Sequence, residues 1–206
     1  MVMILKKLTP DAYIISDWSG GKTRQIAIDP PLAVYADRDF NFRLSSATVE
    51  QEESDFTPLP DYERIISPVK GQLQLLFNDS AQQVILNEFE LRHFDGAWKT
   101  SSRGKVTDYN LMTRKGICTG KATAITLAAG EKTTLPTGFS AAGKRVITLV
   151  WCVEGGVKIS VTGESIDLKS QDSAWIEKEA SAVNELEIAH VEGMPAKLML
   201  AEVKFI

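Results

Sequence analysis

The sequence predicts an all-β protein made of two related β-barrel halves in one chain, and three observations carry this. First, a strand–turn–strand unit occurs twice. Val69, Gly71, Leu73, Leu75 and Phe77 align without a gap on Val153, Gly155, Val157, Ile159 and Val161. Second, short alternating segments recur along the 206 residues, separated by Gly, Pro, Asn, Asp and Ser turn signals. Third, helical periodicity is scarce; only Ala180 to Leu186 offers room for a short helical turn.

Met1 to Leu8 reads as a first strand, since the apolar run before Lys6-Lys7 is too short for a signal peptide. Tyr13-Ile14-Ile15, a turn at Asp17 to Gly21, and Thr23 to Ile28 form strand, turn and strand, ended by Pro30-Pro31. On the last of these, Ile26 and Ile28 share one face and Thr23, Gln25 and Ala27 the other. Phe40 to Val49 is a strong strand with Arg43 and Ser45 on one face. The acidic run Glu50 to Asp55 is expected to be a solvated loop.

The first repeat follows the proline-broken segment Phe56 to Pro60, with a turn at Asn78 to Ala81. Phe89, Leu91 and His93 then alternate into a turn at Phe94-Asp95-Gly96. Polar Lys99 to Lys105 is expected to carry the chain between halves, yet Val106 to Met112 alternates like a strand, with Val106, Asp108, Asn110 and Met112 on one face. Second-half strands start near Gly120; the two halves are taken as residues 1–115 and 116–206, packed as one globular unit in which strands can be exchanged.

Bulk properties exclude several function classes. A formal charge of −4 with no basic cluster argues against nucleic acid. No apolar run approaches the length that spans a bilayer. Cys118 and Cys152 are expected to stay reduced, and the protein to be cytoplasmic. With only two histidines, His93 and His190, one in each half, a His-rich metal centre is excluded. His93 is expected to be half-buried and His190 to lie at the surface or a sheet edge. No cofactor is expected. Ser19, in Trp18-Ser19-Gly20-Gly21, lies in a turn and not in a nucleophile elbow.

Chemistry is therefore left to polar residues that alternate within strands. Thr23 with Gln25, Arg43 with Ser45, and Asp108 with Asn110 each put two hydrogen-bonding side chains on one face. Facing a barrel interior, such groups need partners or a ligand. Arg43 can clamp a carboxylate through its guanidinium fork, and Arg64 can add a second positive charge. Asp108 can orient that ligand or accept a proton from its amine or imidazole. The plainer alternatives are that these faces point to water, or that Arg43 and Asp108 form one structural ion pair.

Several blocks resemble the HutD/Ves family: Trp18-Ser19-Gly20-Gly21-x-Thr23-x-Gln25-Ile26-Ala27-Ile28-x-Pro30-Pro31, Phe42-Arg43-Leu44-Ser45-x-Ala47, Pro60-x-Tyr62-x-Arg64, Phe94-Asp95-Gly96, and Val106-x-Asp108-Tyr109-Asn110-Leu111-Met112-x-Arg114. They occur in the family's order over most of residues 13 to 115. The resemblance implies a bicupin fold, in agreement with the internal repeat. It also implies a link to histidine utilisation, or in the Ves branch to stress response, without an established reaction. Where cupins place a His-x-His metal pair, this chain has Pro136 and Gly138. Asp61 stands where the family has glycine, and the acidic run 50–55 is richer in carboxylates than the family pattern; both are expected near the mouth of the pocket.

The leading reading is a non-catalytic binding or regulatory protein for a small anionic metabolite, tied to histidine catabolism. Its ligand-binding residues are Thr23, Gln25, Arg43, Ser45, Arg64, Asp108 and Asn110, and it uses no metal. The alternative is a metal-independent isomerase or lyase with Asp108 as general base. A third reading is an interaction scaffold using exposed sheet edges, and a homodimer is among the assemblies left open.

Overall fold

The computed structural model describes residues 3–78, 83–137, 144–179, 184–191 and 193–206. The chain opens with β1 (Met3–Leu8), followed by β2 (Ile14–Trp18), β3 (Gly21–Asp29), β4 (Phe42–Val49), β5 (Glu53–Asp55), β6 (Tyr62–Lys70), β7 (Leu73–Phe77), β8 (Gln83–Leu86), β9 (Arg92–Asp95), β10 (Thr100–Arg103) and β11 (Thr107–Arg114). It continues with β12 (Cys118–Leu127), β13 (Lys132–Thr137), β14 (Arg145–Glu154), β15 (Gly156–Val161), β16 (Glu164–Lys169), β17 (Ser173–Glu179), β18 (Asn184–His190) and β19 (Ala196–Phe205). Besides strands and loops the described residues contain two short 3-10 turns, Pro10–Ala12 and Tyr35–Asp37, the second being the one that reaches the site.

Two compact units result. One holds Tyr13–Gly120; the other joins Met1–Ala12 to Lys121–Ile206. The first strand thus packs with the C-terminal unit: β1 pairs antiparallel with β17, Leu5 opposite Ile176, and Met3 and Leu5 pack on that unit's core.

The two units share an eight-strand core order, four strands in each sheet. In the Tyr13–Gly120 unit a small sheet β5-β10-β7-β8 accompanies a larger sheet β2-β3-β4-β11-β6-β9. In the other unit, β13-β18-β15-β16 accompanies β1-β17-β14-β19-β12. Reading β4, β11, β6 and β9 onto β12, β19, β14 and β17 matches neighbour to neighbour, and the small sheets match strand for strand. The sheets remain open and do not close into barrels. Within each unit the core lies between the small and large sheets. Leu73, Leu75, Phe77 and Leu86 meet Val49, Ile66 and Phe94 in one; Val157, Ile159, Leu168 and Ile188 meet Val150, Ile176 and Leu198 in the other.

The repeat extends to backbone detail. Gly71 and Gly155, which join the paired strands, have φ of +87° and +78°. A Cβ on Gly71 would lie 2.8 Å from the Lys105 carbonyl oxygen, and one on Gly155 would lie 2.8 Å from the Ala196 backbone. Each glycine therefore lies against the chain entering the sheet's next strand, β11 or β19. A register shift falls at the same place twice. Between β6 and β11, Lys70 opposes Thr107 and Pro68 opposes Asp108; between β14 and β19, Glu154 opposes Lys197 and Cys152 opposes Leu198. Val69 and Val153 are the skipped residues, which makes this one β-bulge used in both units.

Several expectations need correction. Lys99 to Lys105 is not a connector between units: Thr100–Arg103 is β10, paired with both β5 and β7. Its alternation is polar yet strand-like, with Thr100 and Ser102 buried and Ser102 Oγ at 2.9 Å from Ser54 Oγ. The acidic run is partly strand, since Glu53–Asp55 pairs with β10. A register shift between Gln25 and Ala27 interrupts β3, so the Thr23–Gln25 face does not continue to Ala27. Asn184 to Leu186 belongs to β18 and not to a helical turn, while residues 180–183 lie outside the described residues, as do residues 79–81 of the first repeat's turn and Met1–Val2. Cys118 and Cys152 are both buried free thiols. Among the described residues no helix is long and apolar enough to cross a membrane.

Gly71→Ala and Gly155→Ala should each cost about 1–3 kcal/mol in urea unfolding, because each meets both a left-handed φ and a backbone collision. Gly163, with φ +83° and nothing within 4 Å of where a Cβ would lie, should cost clearly less. Equal losses at all three positions would mean that the close approach is not a constraint.

Candidate functional site

The Tyr13–Gly120 unit contains a cavity of about 360 Å³ on the inner face of its large sheet. Its floor follows from strand alternation. β4 is buried on both faces; Phe42 and Leu44 project one way, while Arg43, Ser45, Ala47 and Val49 line the cavity. From β11 come Asp108, Asn110 and Met112, and from β6 comes Arg64. Arg43 opposes Met112, which opposes Arg64, so both arginines lie in one row across three strands. Ser45 opposes Asn110 in the next row.

Walls come from elsewhere in the unit. β2 supplies Ser16, Asp17 and Trp18, the 3-10 turn supplies Tyr35, and residues 54–57 supply Ser54, Asp55, Phe56 and Thr57. Of the residues expected from sequence, Thr23, Arg43, Ser45, Arg64, Asp108 and Asn110 all reach this cavity. Gln25 stands behind it: its Oε1 accepts a hydrogen bond from Arg43 Nε at 2.8 Å. Arg43 Nη1 donates to Ser45 Oγ at 3.1 Å, and the guanidinium carbon lies 4.3 Å from the Tyr35 ring centroid. Arg43 is thus positioned by neutral neighbours.

Arg64 is 4% exposed and lies against two aromatic rings that meet edge-to-face, 4.7 Å from Phe56 and 5.3 Å from Phe94. Its Nη1 reaches only the Thr57 carbonyl at 3.5 Å, and its Nε is buried without a partner. Burial lowers both guanidinium groups below the ordinary arginine value, Arg64 to about 10. Asp108 Oδ1 accepts a hydrogen bond from the Ala47 amide at 2.7 Å. Burial pushes its carboxyl up to about 6, against the opposing pull of that amide and of the two arginines.

The Arg43–Asp108 ion pair, one of the plainer alternatives, is absent among the described residues. Gln25 and Ser45 occupy Arg43 and the Ala47 amide occupies Asp108, so the buried part of the cavity holds two cationic groups and one anion without joining them, while Asp17 and Asp55 line it as exposed carboxylates. His93, expected half-buried, is exposed, its Nε2 3.2 Å from Glu63 Oε2; Phe94 is the residue that turns inward at this point of β9. His190, expected at the surface or a sheet edge, is half-buried at the end of β18, an inner strand between β13 and β15, where its Nδ1 accepts from the Gly130 amide at 3.3 Å. Asp61 does not line the cavity, and of the acidic run only Ser54 and Asp55 do. Tyr35, Phe56 and Thr57 were missed because they lie in irregular segments, where periodicity assigns no face. No three His, Cys, Asp or Glu side chains cluster for a metal among the described residues. Pro136 lies on β13 opposite Glu185, and Gly138 lies outside the described residues.

The sister unit shows what the cavity is not. The shared register carries Asp108 onto Leu198, Asn110 onto Leu200 and Arg64 onto Thr148. Leu198 and Leu200 are buried members of an apolar core. At the Asp108 and Asn110 positions one copy of the fold is polar and the other is filled with leucines, while Glu202 takes the place of Met112 one step further along the strand.

A small sheet against a larger one in this strand order, repeated in one chain, is a cupin-type fold. The chain superposes on a cupin 2 conserved barrel domain protein from Leptotrichia buccalis with a TM-score of 0.53 and 14% identity, over 95% of each chain. It belongs to the HutD family, whose model matches residues 11–192. Solved structures similar to it include the conserved protein PA5104 of unknown function from Pseudomonas aeruginosa PAO1, with a TM-score of 0.80 and 22% identity over 97% of this chain and 98% of that one. HutD from Pseudomonas fluorescens SBW25 matches with a TM-score of 0.75 and 19% identity over 98% and 100%. No curated protein matches the chain significantly.

Asp108 also makes a stability prediction. Its folded value, about 6, lies above the ordinary 3.8, so ionisation disfavours the folded state. That penalty is absent below the ordinary value, grows as pH rises towards 6, and is fully present above it. Asp108→Asn should therefore be more stable than wild type at pH 7.5, by up to about 3 kcal/mol less the weaker bond to the Ala47 amide. Urea unfolding should show the advantage vanishing towards pH 4; a variant less stable at pH 7.5 would contradict the assignment.

Proposed function

We propose that this protein binds a small anionic metabolite, a carboxylate, in the cavity of the Tyr13–Gly120 unit and acts as a binding or regulatory protein. The observation that carries the reading is the pair of buried guanidinium groups, Arg43 and Arg64, lining one cavity with no carboxylate bonded to either. Burying an arginine without a counter-charge costs several kcal/mol. A fold that retains two, while its sister unit has Thr148 in the place of Arg64, gains from an incoming anion. Arg43 holds its fork towards the cavity through Gln25 and Ser45, so a carboxylate meets an oriented donor set. Aromatic Tyr35, Phe56 and Trp18 supply apolar wall area for the rest of the ligand. Membership in the HutD family supports placing the metabolite in histidine breakdown.

A second reading has one specific observation in its favour. A carboxyl near 6 within a cavity suits a general base at neutral pH, so Asp108 would take a proton from a bound carboxylate's neighbouring carbon in a metal-independent isomerase or lyase. Turnover of a bound carboxylate, lost in Asp108→Asn with binding retained, would establish this reading over the first.

A thermal-shift screen of small carboxylates, urocanate and acylated glutamates included, tests the proposal. A ligand at a hundred times its dissociation constant should add about 2.7 kcal/mol to stability. Arg43→Lys should lose most of that gain, because a point charge does not replace the fork; Arg43→Ala should weaken binding by roughly 2–5 kcal/mol. A ligand that binds Arg43→Lys and Arg64→Lys as tightly as wild type would place the site elsewhere.

A further inference from the structure

One charged group in the cavity is left without a role by carboxylate binding alone. Asp108 is 4% exposed, lines the cavity, and has one oxygen committed to the Ala47 amide. The groups that face it come from every wall. Arg43 is on β4, Arg64 on β6, Asp17 on β2, Asp55 on β5 and the Tyr35 phenol on the 3-10 turn; its own strand adds only neutral Asn110 and Met112. Asp17 is exposed and already paired with Lys22 at 3.0 Å, and Asp55 is exposed at the rim. The buried interior therefore carries two positive charges and one negative, a surplus of one positive charge.

That surplus restricts the ligand. One carboxylate neutralises the interior with Asp108 still ionised. An ionised Asp108 is only an acceptor, so the part of the ligand lying against it must present a hydroxyl or an amide N–H. A second ligand charge finds no cation remaining and shares a desolvated space with a like charge, which drives one of the two to take a proton. We infer that the cavity selects singly charged carboxylates bearing a neutral hydrogen-bond donor for Asp108, and admits a doubly charged ligand only together with one proton on that residue. The inference rests on the carboxylate reading of the site. It agrees with the raised carboxyl of Asp108, which is nevertheless ionised at neutral pH in the empty cavity, so that the proton must arrive with the ligand.

The probes are glycolate, acetate and succinate, followed through quenching of tryptophan fluorescence, since Trp18 lines the cavity. Measurements run from about pH 7 to about pH 8.5, where the probes stay ionised and the coupling to Asp108 is read as a slope. Glycolate should bind about tenfold or more tighter than acetate, the gain of a hydrogen bond to a charged acceptor, and its affinity should be flat with pH. Succinate affinity should fall about tenfold per pH unit, the signature of one proton taken up per ligand. Calorimetry in two buffers of different ionisation enthalpy should count that proton directly. In Asp108→Asn, succinate binding should lose both the slope and the proton.

Succinate binding that is flat with pH in wild type, a slope that survives in Asp108→Asn, or glycolate no tighter than acetate would each overturn the inference while leaving the carboxylate site standing. Failure of all three probes to bind would overturn the carboxylate reading itself, and this inference with it.

Discussion

Two guanidinium groups and one carboxylate are held apart inside a desolvated cavity, and the surrounding structure is arranged around that constraint. An arginine buried beside an available aspartate would ordinarily close on it, since the pair offsets part of the cost of leaving water. Here the Ala47 amide holds Asp108, while Gln25 and Ser45 hold Arg43. Arg64 lies against Phe56 and Phe94, whose rings attract a cation without neutralising it. The groups stay charged, oriented and mutually unpaired. Such an interior is costly in isolation, and under the proposed binding role an incoming anion offsets that cost.

The sister unit provides an internal control. The core strand order, the glycine joint and the β-bulge beside it are the same in both units, so the backbone alone does not require a charged interior. Where the first unit has Asp108 and Asn110, the second has Leu198 and Leu200, both buried in a continuous apolar core. Stability is therefore available to this fold through filling with aliphatic side chains, at no desolvation cost. At these positions one unit is packed with aliphatic side chains, and the other carries the polar groups on which the proposed binding role rests.

Much of this was legible in the sequence because strands have a period of two. Alternation alone put Arg43 with Ser45 and Asp108 with Asn110 on shared faces, and the structure brings those faces to one cavity. The gapless match of Val69–Phe77 to Val153–Val161 likewise anticipated the equivalent strand pairs. What alternation does not carry is the identity of a side chain's partner. It placed Gln25 in the site, whereas a hydrogen bond makes it the support for Arg43. It allowed Arg43 and Asp108 to pair, because spacing says nothing about which neutral groups reach each of them first. Irregular segments were opaque for the same reason: Tyr35 and Phe56 have no period that assigns a face, and Ser/Thr-rich Thr100–Arg103 looked like a connector because its buried positions are polar. The first strand's place in the C-terminal unit is a matter of long-range pairing, to which local pattern is blind.

The central claim is that an anion completes the space between Arg43 and Arg64. A crystal soaked in bromoacetate tests it most directly, because the bromine marks the anion by its anomalous scattering. One site is expected in the Tyr13–Gly120 unit, with the carboxylate on the two guanidinium groups, and none in the interior of the other unit. An unoccupied cavity under conditions where surface sites fill, or a carboxylate bound away from both arginines, would contradict it.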